Sequence, residues 1–172
     1  MIPADHRGTL EAPAVPDPPG VPASTSADSV TRSAAGAYLR ATATNRAAAV
    51  HLRPDVAAWT VFSCAFEAAV RLRFPVGCPL PEITRSVAGA TRRHAPVAVP
   101  PLEAEMLIRD VLGEAVPIAE IPPATVVASH LLTFASLVDE LALTDAEIDD
   151  LVSAAEGRAR ELGGARTGKG RP

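Results

Sequence analysis

Large apolar side chains recur every three or four residues between positions 54 and 74, and this spacing constrains the fold more than any other feature. Four of the chain's six aromatic residues lie in this stretch. Side chains at such steps share one face of an α-helix, and proline, present as Pro54, suits the first turn of a helix. The sequence therefore predicts a helix over 54–74 that anchors the core through Val56, Trp59, Phe62, Phe66, Val70 and Phe74.

The same periodicity predicts further helices on both sides, separated by turns rich in proline or glycine. The last of them has the clearest start, because Thr144 and Glu147 have the spacing of a capping box. No segment has a convincing strand pattern, since the apolar run 97–99 is short and lies between prolines. We therefore expect an all-α fold, an irregular bundle of five to six helices. Besides 54–74, the helices are predicted at about 29–50, 81–94, 102–112, 122–141 and 144–162.

The two ends of the chain differ from the helical region in composition. Residues 1–28 contain six prolines and few large apolar groups, so they cannot bury enough surface to offset the entropy lost on ordering. We predict a disordered, proline-rich tail over 1–28, a single helical domain over 29–162, and a flexible, glycine-rich basic tail over 163–172. Residues 163–170 match the GxxxxGK pattern of a phosphate-binding loop, but a helix precedes them and Gly170 stands where a hydroxyl is required.

The helix predicted over 122–141 is apolar beyond a single stripe. Val127, Leu131, Phe134 and Val138 follow the helical spacing, and further apolar residues at 126, 132 and 137 widen the apolar surface. A helix that is apolar on most sides is buried at the centre of a bundle or shared with another chain. We favour the central position, and a homodimer through 122–141 is the alternative.

Charge is divided between the two halves of the helical region. Residues 31–99 carry nine arginines against three acids, a net +6, and residues 100–163 carry three arginines against thirteen acids, a net −10. The two halves either attract each other within the fold or provide surfaces for a partner. The candidate interaction surface consists of a basic set, Arg71, Arg73, Arg85, Arg92 and Arg93, and an acidic set, Asp139, Glu140, Asp149 and Asp150.

Residues capable of chemistry are few and scattered. The four histidines form no metal-binding motif, and pairs such as Cys64 with His130 or Cys78 with His94 would have to be brought together by folding. We expect Cys64 to be a small buried apolar residue and Cys78 to be more exposed in its turn. We expect His130 to lie at a polar edge or to be hydrogen-bonded. No catalytic group, cofactor or metal is predicted.

The function predicted from these observations is a non-catalytic protein–protein interaction or regulatory module. Without a signal peptide or a run of about 18 apolar residues, we expect it in the cytoplasm and away from the membrane, and fifteen arginines against one lysine indicate a high-GC bacterial genome. A DNA-binding regulator of helix-turn-helix type is the alternative, although the acidic start of the helix at 102–112 opposes a nucleic-acid partner. An enzyme whose site the sequence does not reveal is the second alternative.

Overall fold

The computed structural model describes residues 33–44, 54–93 and 100–167, all of which belong to the compact unit Thr31–Pro172. These ranges contain six α-helices and no strand, so the predicted all-α bundle is confirmed. The helices are α1 (Ala34–Thr44), α2 (Val56–Arg73), α3 (Leu80–Arg93), α4 (Pro101–Val111), α5 (Pro123–Glu140) and α6 (Asp145–Thr167), with a 3-10 turn (Ile118–Glu120) before α5.

The helix ends follow local hydrogen bonding. α1 begins after Ser33, whose hydroxyl accepts a hydrogen bond from the Gly36 N–H at 3.0 Å, and α2 begins after Asp55, which caps the Ala58 N–H. The predicted capping box is confirmed, since the Thr144 N–H donates to the Glu147 carboxylate at 2.8 Å. The predicted tail 1–28 and the ends of the predicted first helix at 29–32 and 45–50 lie outside the described residues.

The last helix is longer than the sequence predicts. α6 continues through Gly163 and Gly164 to Thr167, whereas the predicted helix ends at 162 and a flexible tail begins there. The preceding turns of α6 extend regular backbone hydrogen bonding into this segment, despite the low helix propensity of glycine. Helical backbone over 163–167 also differs from the strand-to-helix loop that a phosphate-binding motif requires.

α5 lies at the centre of the bundle, as predicted. It packs against α1, α2, α3 and α4, and every residue from 129 to 138 is buried. A helix surrounded on most sides needs apolar residues around most of its circumference, which explains why its apolar surface extends beyond one stripe.

The core is built around the aromatic side chains of α2 and α5. Phe62, Phe66 and Phe74 from α2 and Phe134 from α5 are each at most 1 % exposed. The first turn of α2 departs from the prediction, because Val56 is exposed and Trp59 is only half-buried. Leu80, the first residue of α3, and Leu162 are also exposed.

Glycine permits a close approach between α1 and α6. The carboxylate of the buried Glu156 accepts hydrogen bonds from the Ser33 N–H at 2.8 Å and from the Ser33 hydroxyl, and it lies where a Cβ on Gly36 would stand. A carboxylate at the N-terminus of a helix is stabilised by the helix dipole. An alanine at position 36 would displace this carboxylate, so Gly36 permits the hydrogen bonds that join Ser33 at the start of α1 to Glu156 on α6.

Candidate functional site

Glu140 joins α2, α3 and α5 through a network of polar side chains. Its carboxylate accepts hydrogen bonds from Arg73 Nε at 2.7 Å and from the Ser86 hydroxyl at 2.6 Å. Arg93 Nη2 lies 3.9 Å from the same carboxylate and donates to the Ser136 hydroxyl at 2.6 Å. Three of the predicted surface residues, Arg73, Arg93 and Glu140, are thus engaged with one another inside the chain.

The network keeps Glu140 ionised. Partial burial by itself raises the pKa of this carboxyl group, but the hydrogen bonds from Ser86 and Arg73 and the charges of Arg73 and Arg93 outweigh it and lower the pKa below its usual value. The opposite charges of Arg73, Arg93 and Glu140 compensate each other in a position that is partly removed from water. These three side chains therefore connect the helices that carry them.

Other pairs also join the basic half of the chain to the acidic half. Arg40 on α1 forms an ion pair with Asp149 on α6, so a further member of the predicted acidic set contacts the chain's own arginine. Asp139 is half-buried. Of the predicted acidic residues, Asp150 is the one the structure leaves exposed. Some of the charges of the basic half and the acidic half of the chain therefore attract each other within the fold.

Three members of the basic set have a different environment. Arg71, Arg85 and Arg92 are exposed, and none of them forms an ion pair or a hydrogen bond with any residue that the structure describes. Apolar side chains are exposed in the same stretch of chain, namely Leu72 at 60 %, Val76 at 80 % and Leu80 at 47 %. We call the six residues Arg71, Leu72, Val76, Leu80, Arg85 and Arg92 the α2–α3 surface.

His130 lies inside the bundle and not at a polar edge. Its imidazole ring stacks between Phe66, at 4.3 Å between ring centroids, and Trp59, at 5.1 Å. Burial lowers the pKa of His130 to about 4, because an apolar environment disfavours the charged ring. The histidine is therefore neutral at physiological pH, and its Nδ1 has no hydrogen-bond partner among the described residues.

Both cysteines are buried free thiols. Cys64 is a small buried residue, as predicted, but the prediction of greater exposure for Cys78 is wrong, since the turn folds this side chain inward to 6 % exposure. Burial raises the pKa of both thiols, and the neighbouring Glu82 carboxylate, 3.5 Å from Cys78 Sγ, opposes ionisation further. Neither environment favours the reactive thiolate.

The remaining sequence-based expectations concern a metal site, a membrane span and a DNA-binding surface. Among the described residues, no three histidine, cysteine or acidic side chains are grouped so as to hold a metal ion, and no helix is long and apolar enough to cross a membrane. α3 and α4, the helices of the DNA-binding alternative, pack against each other. Their connection at 94–99, together with His94 and its suggested pairing with Cys78, lies outside the described residues.

One feature of α5 was missed in the sequence. Ser129, Thr133, Ser136 and Glu140 recur at steps of four, three and four, which places a row of polar residues on one face of an otherwise apolar helix. Ser129, Thr133 and Ser136 are buried. This row could have been found from its spacing alone.

The described residues form a small all-α helical bundle in which Arg71, Arg85 and Arg92 are exposed and have no ion-pair or hydrogen-bond partner among those residues. Comparison of the chain with models of protein families, with curated proteins and with solved structures gives no match.

Proposed function

We propose that this protein is a non-catalytic interaction module that binds an acidic segment of another protein through the α2–α3 surface. The observation that carries the proposal is that Arg71, Arg85 and Arg92 are exposed and unpaired within the described residues. Arginine binds carboxylates through two parallel hydrogen bonds, and it is enriched among the residues that dominate binding energy at protein interfaces.

The arginines next to this surface in sequence support the proposal, because their environment differs from that of Arg71 and Arg92. Arg73 and Arg93, which are adjacent to members of the surface in sequence, are both engaged with Glu140. In each of the two neighbouring pairs, Arg71 with Arg73 and Arg92 with Arg93, one arginine contacts Glu140 and the other has no partner among the described residues. The exposed Leu72 and Val76 add apolar area, so the partner we propose has acidic side chains next to aliphatic ones.

Charge reversal tests the proposal. We expect the double variant R85E/R92E to fold like the wild type but to bind its partner at least about tenfold more weakly, because each interface arginine contributes on the order of 1–2 kcal/mol. The matched control is R158E/R160E, which makes the same change in net charge on α6, where the Arg158 side chain is 63 % exposed and its Nη2 lies 3.7 Å from the Glu67 carboxylate.

The measurement is affinity capture from the organism's own lysate, quantified by mass spectrometry for the three proteins in parallel. A protein captured by the wild type and by R158E/R160E, but lost with R85E/R92E, is the expected result. Equal capture by all three would contradict the proposal. Strong binding to duplex DNA that weakens steeply with salt would favour the DNA-binding alternative instead.

Two further properties belong to the same proposal. We place the module in the cytoplasm, which its two free thiols support because disulfides are rare in that compartment. A homodimer through 122–141 would have to use mainly residues 123–128, which are exposed or half-buried, because residues 129–138 are already buried in the chain. Light scattering of the wild type at high concentration distinguishes this dimer from a monomer that binds a different protein.

A further inference from the structure

One turn of α5 buries polar atoms that the protein does not satisfy. Ser129 is fully buried, Thr133 is 3 % exposed and His130 is 7 % exposed. Ser129 Oγ, Thr133 Oγ1 and His130 Nδ1 have no hydrogen-bond partner among the residues that the structure describes. Ser136, which continues the row, accepts a hydrogen bond from Arg93, so the unsatisfied atoms are confined to 129–133.

Three helical threonines elsewhere among the described residues have hydroxyl groups that are satisfied by their own helix. Thr42, Thr60 and Thr91 each donate to the carbonyl oxygen four residues earlier, at 2.9, 2.9 and 3.0 Å. Ser129 and Thr133 make no such bond. Burying a polar group without a partner is costly, and three such groups within one turn indicate a shared partner.

We propose that Ser129, His130 and Thr133 form an internal binding site for a small, uncharged molecule that carries a hydroxyl group. Its O–H would donate to His130 Nδ1, and its oxygen would accept from the Ser129 and Thr133 hydroxyls. Water is the smallest molecule with this chemistry, and a small alcohol is the organic equivalent.

The surroundings of the site determine which molecules fit this chemistry. Stacking between Trp59 and Phe66 fixes the plane of the imidazole ring, so a hydrogen-bond partner of Nδ1 must lie at the edge of the ring. The ring is neutral, and no residue from 129 to 133 is otherwise ionisable. A charged molecule would therefore lose its hydration without gaining a counter-charge from this turn.

NMR spectroscopy and native mass spectrometry of the full chain test the site. We expect the His130 Nδ1 nitrogen signal to show an accepted hydrogen bond at pH 7. Cross-peaks from H₂O to His130 and Thr133 without added mass would identify the bound hydroxyl as water. Added mass that is released on unfolding would identify an organic molecule. Either result supports the site, and the absence of both would overturn it.

A substitution gives a second, independent test. Thr133→Val keeps the shape of the side chain and removes its hydroxyl group, so it should lower the Tm by about 2–5 °C if that hydroxyl holds a bound molecule. Thr42→Val is the matched control, since Thr42 is a fully buried helical threonine bonded to its own helix. An unchanged or raised Tm for Thr133→Val would contradict the proposal, because removing an unsatisfied hydroxyl group stabilises a core.

Discussion

Replacing Phe134 by alanine is expected to lower the free energy of unfolding by about 3–5 kcal/mol. Phe134 is fully buried at the middle of α5, and α5 contacts four other helices. Truncation removes apolar area from the core and leaves a cavity that rigid neighbouring helices cannot fill. Urea unfolding followed by circular dichroism measures this loss.

Leu102→Ala is the control for this prediction. Leu102 is 66 % exposed near the start of α4, so its truncation should change the free energy of unfolding by less than about 0.5 kcal/mol. If Phe134→Ala and Leu102→Ala had equal effects, α5 could not be the central helix of the bundle.

Acidification from pH 7 to pH 4.5 is expected to remove about 2.5 kcal/mol of stability through His130. The pKa of this group falls from 6.5 in the unfolded chain to about 4 in the folded protein. Between these values the unfolded state binds more protons, so the contribution is fully present above pH 6.5 and is lost as the pH falls towards 4. One unit of pKa difference corresponds to about 1.4 kcal/mol, which gives the expected total.

Urea unfolding of the wild type and of His130→Phe at pH 7, 6, 5 and 4.5 isolates this contribution. Phenylalanine keeps a planar ring between Trp59 and Phe66 but has no proton to bind, so its stability should fall much less over this interval. Glu140 does not obscure the comparison, because its lowered pKa places its own loss of stability below pH 4.5. Parallel pH profiles for the two proteins would show that His130 is not buried in its neutral form.

The sequence predicts those parts of the fold that depend on local spacing. The three- and four-residue steps locate α2 and α5, and the apolar width of α5 indicates its central position. The sequence does not predict that Val56 is exposed or that Cys78 is buried in its turn, because both features depend on where neighbouring helices end. The stacking of His130 between Trp59 and Phe66 has no local signature either, since its ring partners are on a different helix.

Composition does not predict that the arginines of the basic set lie in different environments. Arg92 and Arg93 are consecutive and chemically identical, but successive helical residues point in directions about 100° apart. Only Arg93 is directed towards Ser136 and Glu140. The charge count alone therefore suggests one basic surface, whereas packing separates arginines that connect helices from arginines available to a partner.

Urea unfolding of two arginine double variants tests this separation most directly. R73Q/R93Q should lower the free energy of unfolding by about 1–2 kcal/mol, because Glu140 loses both cations in a partly buried position. R71Q/R92Q removes the same charge and should leave stability within about 0.5 kcal/mol of the wild type. Equal destabilisation by both pairs, or destabilisation by R71Q/R92Q alone, would contradict the account.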